Sequence, residues 1–344
     1  MEKTIHLQVP ENFERKRLDH YLNEALPDLS RSKIQKLIER GLVLVDGRKC
    51  KANFLLRSKH EISIEVEEER PSKVLIPHPM HLDILFEDDD LLVLNKAAGI
   101  SVHPGSGTRE PTLVEGVFHW LGRSQNEVGN NIRPGIVHRL DKDTTGVMVY
   151  AKNERTQSNL SKQFASKQIP REYLALLDGY LEQSSLEHES YLYRDPAHRK
   201  RFASISAEAY FKKFGHEVKA GSGYRLAKTL FIRKETYRSR ITLASLFLRT
   251  GRTHQIRVHS KELQCPLLGD PIYNQNHEFP KTIPLEIRKV FSTLKRQMLH
   301  ARTLGFIHPT TEKEMRFEAP LPDDFKNLLL LLEPLKDQSE NRNS

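Results

Sequence analysis

The sequence predicts an α+β protein in two parts, a small basic αβ module followed by a larger α+β domain of about 260 residues. Three observations predict it. Two helix-spaced apolar stretches and a strand pattern fill the first part of the chain. A charged, proline-bearing run, Glu67-Glu68-Glu69-Arg70-Pro71-Ser72-Lys73, then interrupts it, and beyond that run the pattern is mostly β-like. The expected layout is a module at 12–66, a linker at 67–78, the larger domain at 79–334 and a polar tail at 335–344.

In the module, Leu18, Tyr21, Leu22 and Ala25 fall at i, i+3, i+4 and i+7, one apolar face of a helix that Pro27 and Asp28 end. Ser30 or Ser32 can cap a second helix carrying Ile34, Leu37 and Ile38, and Gly41 suits its C-terminal stop. Lys33, Lys36 and Arg40 form a basic stripe on another face. Leu42 to Val45 reads as a strand entering a tight Asp46-Gly47 turn, and alternation returns at Ile62, Ile64 and Val66. In the larger domain, Ile84 to Phe86 and Leu91 to Leu94 bracket a solvated acidic turn, Glu87-Asp88-Asp89-Asp90. Gly146 to Ala151 and Ile241 to Leu248 also read as strands, and Leu160 to Phe164 and Asp324 to Leu332 as helices.

The chain has 344 residues, 38% of them hydrophobic and 29% charged, with a mean hydropathy of −0.57. That composition supports a core and excludes a disordered chain. No apolar run approaches the 18 residues of a membrane span, so no membrane partner is expected, and no secretory signal is visible. Two cysteines, Cys50 and Cys265, lie far apart with no CxxC, which fits a reducing cytoplasm. The net charge is +9. Twelve Lys or Arg against six Asp or Glu lie between Asn12 and His60, so that short segment holds two-thirds of the excess and is the candidate docking surface for a polyanion.

The densest reactive cluster is Val137-His138-Arg139-Leu140-Asp141-Lys142-Asp143-Thr144-Thr145-Gly146, a polar loop entering a strand. Asp141 can serve as nucleophile or general acid/base, or the run can be an ordinary turn in which Arg139 pairs with Asp143. Spacing does not choose between Asp141 and Asp143. The second cluster is Thr250-Gly251-Arg252-Thr253-His254-Gln255-Ile256-Arg257-Val258-His259. On a helix starting there, Ile256, His259 and Leu263 would face the core while His254, Arg257 and Lys261 share another face. From that face Arg257 can pair with a carboxylate. His254 and His259 are five apart, which loses the shared face a zinc site needs, so no metal is expected. Tyr173, in Arg171-Glu172-Tyr173, sits on a strand. Gly105-Ser106-Gly107 and Gly221-Ser222-Gly223 match no phosphate-binding loop, and Asp88-Asp89-Asp90 lacks EF-hand spacing.

His138-Arg139-Leu140-Asp141 followed by Thr144-Thr145-Gly146 resembles the HRLDxxTSG signature of the RluA family of pseudouridine synthases. Gly99-Ile100-Ser101-Val102-His103-Pro104, Arg171-Glu172-Tyr173, Thr250 to His259, Gly269-Asp270-Pro271, Leu299-His300-Ala301 and His308-Pro309 follow in the family's order. Residues 12–66 resemble an S4 RNA-binding domain. Two departures occur: Lys96-Ala97-Ala98-Gly99 stands where the family has KPAG, and Thr144-Thr145-Gly146 where it has TSG.

The resemblance implies an S4-like module joined to a catalytic domain built on a mixed, mainly antiparallel sheet flanked by helices. It implies isomerisation of uridine to pseudouridine in RNA by base flipping, with no metal or organic cofactor, most often in large-subunit ribosomal RNA for this architecture. Asp141 becomes the nucleophile, Tyr173 the residue stacked on uracil and Arg257 the partner of Asp141. Arg139 would fill the gap left by the flipped base, with His138, Thr144, Arg252 and His254 also facing substrate and Arg31, Lys33, Lys36 and Arg40 holding RNA. Nothing demands more than a monomer. The competing readings are a non-catalytic RNA-binding or ribosome-assembly protein, a transfer-RNA pseudouridine synthase and a histidine-dependent RNA hydrolase using His138 and His254.

Overall fold

The computed structural model describes residues 2–26, 29, 31–67, 75–105, 108, 110–124, 133–166, 169–198, 200–215, 218, 222–275 and 279–338. The chain divides into two compact units, Met1–Ser72 and Lys73–Ser344. Pro27, Asp28, Ser30, most of the linker (68–74), Ser106, Gly107, Gly221 and the end of the tail (339–344) lie outside the described residues.

The first unit is a four-stranded sheet carrying two helices. Strand β1 (Glu2–Gln8), helices α1 (Leu18–Ala25) and α2 (Arg31–Glu39), and strands β2 (Val43–Val45), β3 (Arg48–Lys49) and β4 (Glu61–Glu67) follow in order, with the sheet arranged β1-β4-β2-β3. Leu18, Tyr21, Leu22, Ile34, Leu37 and Ile38 meet Val43, Val45, Ile62 and Ile64 in one core. Ser32 lies inside α2 rather than at its cap. Gly41, at φ +72°, ends α2. Its N–H reaches the Ile38 carbonyl while the Leu42 N–H reaches that of Leu37, the paired bonds of a Schellman stop. Asp46 and Gly47 both have positive φ, which suits a two-residue hairpin with Val45 opposite Arg48. Strand β1 is an addition: Ile5 and Leu7 alternate with polar residues too briefly to announce it, yet it pairs with β4 along its whole length.

The second unit is built on a ten-stranded mixed sheet among the described residues. Its elements are β5 (Asp83–Glu87), β6 (Leu91–Lys96), α3 (Leu113–Trp120), β7 (Thr145–Ala151), α4 (Glu154–Ala165), β8 (Arg171–Asp178), β9 (Ser185–Arg194), β10 (Phe202–Ile205), α5 (Ala207–Phe214), β11 (Arg225–Tyr237), β12 (Ile241–Leu248), α6 (Gln255–Glu262), α7 (Leu285–Thr293), β13 (Leu299–Ile307), β14 (Glu314–Glu318) and α8 (Asp323–Leu332). The strand order is β10-β9-β11-β12-β8-β13-β7-β6-β5, with β14 on β13, and β13 runs parallel to β7 while its other pairings are antiparallel.

Period-two alternation explains the layers. Leu92, Leu94, Met148 and Tyr150 turn toward Val114, Val117 and Phe118 of α3. Their neighbours Leu91, Val93, Val147 and Val149 turn the other way, toward Leu160 of α4. Leu174 and Leu176 of β8 pack with α7 and α8 through Ile287, Phe291, Phe325 and Leu328. Both faces of the central strands are therefore covered, which is why β7 is buried at every residue. Leu75 joins this core, and Leu335, expected in the polar tail, is buried too.

The acidic turn between β5 and β6 is not simply solvated. Asp88 Oδ1 accepts the Asp90 and Leu91 N–H groups, and its other oxygen lies 2.9 Å from His308 Nε2. Asp90 accepts from Asn153 and Thr156, which fixes the start of α4. The turn is a structural knot because three separated segments converge on it.

Candidate active site

The loop before β7 closes on itself where the Thr144 N–H meets the Asp141 carbonyl at 3.1 Å. Three groups hold it from behind. The buried Lys96 ammonium donates to the carbonyls of Lys142 (2.8 Å), Ala97 (2.7 Å) and Ile100 (3.0 Å). Arg296 reaches the Asp143 carbonyl at 3.3 Å while its guanidinium takes both oxygens of Asp324 at the start of α8. Gln297 Nε2 donates to Thr144 Oγ1 at 3.0 Å, so the buried Thr144 holds the loop. Burial pushes the Lys96 pKa down to about 7, against the pull of Asp143 and Asp141.

The half-buried Asp141 carboxylate takes Arg257 NH1 on Oδ2 at 3.1 Å, with His254 Nε2 3.8 Å away. Asp141, not Asp143, therefore faces the second cluster, and among the described residues no ion pair joins Arg139 to Asp143. Arg257 is buried, and its opposite edge is held bidentately by the buried Asp270, at 2.7 and 2.9 Å. Asp270 also accepts the N–H groups of Ile272 and Tyr273. The Tyr273 ring lies 5.1 Å from the guanidinium. Burial opposes the charge on Arg257, but Asp270 and then Asp141 outweigh it and drive its pKa upward. The cation is permanent, and only one of its edges is left for Asp141.

Helix α6 differs from the expected one. Every residue from Gln255 to Ser260 is buried, so Arg257 is not on a free face. His254 precedes the helix in the left-handed region at φ +56°, a strained position for a non-glycine residue. Its Nδ1 lies 2.9 Å from the Tyr273 hydroxyl, and burial holds its pKa below the usual histidine value despite Asp141. His259 packs between Ser190 and Thr229, at 3.2 and 2.9 Å, and burial pushes it down to about 4.

His138 accepts the Val149 N–H on Nε2 at 3.1 Å and stacks on Phe164 with centroids 4.5 Å apart. Burial, helped by Arg171, lowers its pKa to about 3. With its Nε2 lone pair taken up by the Val149 N–H, His138 cannot serve as the base of the hydrolase reading. Tyr173, on β8, is buried, and burial raises its phenol pKa.

A cavity of about 270 Å³ brings these groups together, with Asp141, Tyr173, His254 and Arg257 lining it beside the exposed Arg139 and Arg252. His138 and Thr144 also line it. In the other unit, Arg31 and Lys36 are exposed on α2 and Arg40 just after it, with Arg31 3.4 Å from His20. The Lys33 side chain lies outside the described residues. Sequence reasoning missed the roles of Asp270, Tyr273, Lys96, Arg296 and Gln297. In the sequence Gly269-Asp270-Pro271 stands only as a family-like run, with no signal of the pairing with Arg257; in the structure Gly269 has a positive φ and its backbone passes against that of Arg296.

Comparison with known proteins places the chain. Residues 90–262 match the model of the RNA pseudouridylate synthase family, and residues 16–62 that of the S4 domain. The chain is 36% identical over 328 residues to the ribosomal large subunit pseudouridine synthase D of Xanthomonas campestris, covering 94% of this chain and 91% of that one. It is 35% identical over 341 residues to the protein of the same name from Nitrosomonas europaea, covering 99% and 91%. The human RNA pseudouridylate synthase domain containing 4 shares the fold, with a TM-score of 0.54 at 24% identity over 74% of this chain and 94% of that one. The chain therefore belongs to the RNA pseudouridylate synthase family, as an RNA-modifying isomerase with an S4 domain before its catalytic domain.

Proposed function

We propose that this enzyme converts uridines of large-subunit ribosomal RNA to pseudouridine, with Asp141 as its nucleophile. Two relatives similar along almost their whole length carry that substrate in their names. The observation that carries the role of Asp141 is its contact with Arg257 at 3.1 Å on the floor of the cavity, with Asp270 holding the far edge of the same guanidinium. The fixed cation pairs with the carboxylate and holds it in place in the cavity.

The reaction breaks the N1–C1′ bond and forms a C5–C1′ bond. The proton on C5 leaves and N1 gains one, so composition is unchanged. Tyr173 enters as a neutral phenol, since burial raises its pKa, and supplies a face for the uracil. Both reacting carbons are hidden in stacked RNA, so the uridine must be extruded at a cost on the order of a few kcal/mol. Arg139, exposed at the rim, is suited to occupy the gap. Contacts of Lys and Arg to phosphate offset the cost, the module's Arg31, Lys36 and Arg40 among them.

The test incubates wild type and Asp141→Asn with ribosomal RNA from a strain lacking the enzyme and maps carbodiimide-labelled pseudouridines. The variant is expected to lose roughly 10³-fold or more of the rate, the order seen when a nucleophile is removed, while RNA affinity and chain length stay unchanged. Near-normal turnover by Asp141→Asn would falsify the role, and modification confined to transfer RNA would overturn the substrate.

A further inference from the structure

We propose that β9, α5 and the start of β11 form a second RNA-binding surface, on which unpaired nucleotides beside the target uridine stack. This rests on RNA being the substrate.

Charge is the first argument. Residues 191–225 hold eight Lys or Arg against three Asp or Glu, a net +5. The segment from Asn12 to His60 carries +6 and the whole chain +9, so all remaining residues together carry −2. A strongly basic stretch therefore lies within the catalytic unit as well as in the module. Arg194, Lys200, Lys212, Lys213 and Arg225 are exposed there.

Aromatic surface is the second. Tyr210 of α5 is buried and sits at the centre of a ring cluster, 5.0 Å from Tyr191, 4.6 Å from Phe214 and 5.1 Å from Tyr224. Tyr193 lies 4.9 Å from Tyr224. One ring suffices to pin α5 to the sheet. The other four are only half-buried, and Phe211 beside them is 42% exposed. A contiguous group of partly exposed rings marks a candidate interaction surface. Rings interleaved with cations suit a nucleic acid, because each base has a π-face and each phosphate a charge. A protein partner matched to so basic a patch would have to be strongly acidic, whereas RNA is so by construction.

Position is the third. One face of the same β9–β10 hairpin packs against His254 and Tyr273 beside the active site. The Phe202 ring lies 5.7 Å from that of His254, the Phe202 N–H donates to the Tyr273 hydroxyl at 2.8 Å, and the Arg201 guanidinium lies 5.8 Å from the Tyr273 ring. Phe202 pairs with Arg194, whereas Tyr191 and Tyr193 pair with Ile205 and Ala203, so the rings lie on the opposite face of the hairpin from His254 and RNA reaches them from the Asp141 cavity by turning over the β10 edge of the sheet.

The test measures binding of the full chain to a labelled 12-nucleotide adenosine RNA, which holds no uridine, and turnover on a ribosomal RNA fragment. Phe211→Ala is expected to weaken oligonucleotide binding at least about fivefold, the low end for loss of one stacked base. Lys212→Gln combined with Lys213→Gln is expected to lower the slope of log affinity against log salt by about 1.4, at 0.7 per phosphate contact on a single strand. Both variants should raise KM and leave kcat unchanged, with melting curves like wild type. Affinity and salt slope equal to wild type in both, or a fall in kcat with KM intact, would overturn the shelf. Shelf-dependent binding by a wild type that makes no pseudouridine would leave the shelf standing and sink the proposed function instead.

Discussion

Arg257 serves two acids, and that division decides what Asp141 can do. Asp270 takes two of its N–H groups and receives two backbone N–H groups in return, so the guanidinium cannot turn to give Asp141 a bidentate grip. Asp141 keeps one short contact to the guanidinium, through Oδ2, and lines the cavity. Asp270→Asn should release that constraint. Removing one partner of a buried ion pair costs about 3–5 kcal/mol, and the turnover rate should fall more than tenfold as Arg257 shifts onto Asp141. Melting curves and single-turnover rates at saturating RNA check both parts; normal turnover would remove the positioning role. Little of this was legible in the residues themselves. Loop spacing left Asp141 and Asp143 equivalent, and only the family resemblance chose Asp141. Asp270 carried no signal beyond the family-like run Gly269-Asp270-Pro271, because its pairing with Arg257 forms only when the chain after α6 folds back.

At the scale of elements, the buried strands were readable and the partly exposed ones were not. Runs such as Leu91 to Leu94 and Ile241 to Leu248 announce themselves because both faces are covered. Strands β9 and β11 alternate charged and apolar residues over long spans and escaped notice, as did α5 between them. The parallel pairing of β7 with β13 could not be read at all, and it rests on Gly146. There φ is +117°, and a Cβ would lie 2.1 Å from the Ala301 carbonyl oxygen. Ala301 in turn pairs with Tyr173 across β8, so a wedge at Gly146 separates Tyr173 from the Asp141 loop. Gly146→Ala should lower the melting temperature by about 6–12 °C, corresponding to about 3 kcal/mol in a domain of this size. A melting temperature within about 2 °C of wild type would show that the strands can part without cost.

Across the whole molecule, neutral histidines buried in the catalytic unit couple its stability to acid. Burial pushes His138 down to about 3 and His259 to about 4, and it lowers His103, His254 and His300 as well. In the unfolded chain these rings titrate near the ordinary value of about 6.5. Between the two values the unfolded state binds more protons than the folded one, so stability rises with pH there. The contribution is complete above about 6.5 and is lost as pH falls toward about 4 and then 3. His138 makes the coupling concrete, because protonating Nε2 sets it against the Val149 N–H it now accepts. His138 and His259 should each add about 1.4 kcal/mol per pH unit to the slope of unfolding free energy between pH 6 and 5. Denaturant melts at half-unit steps from pH 7.5 to 4.5 measure that slope. His259→Gln should lower stability at pH 7.5 yet reduce the slope by about one proton's worth, roughly 1.4 kcal/mol per unit. A slope unchanged by the substitution would mean that His259 is charged in the folded protein, and that the Ser190 and Thr229 contacts hold an imidazolium rather than a neutral ring.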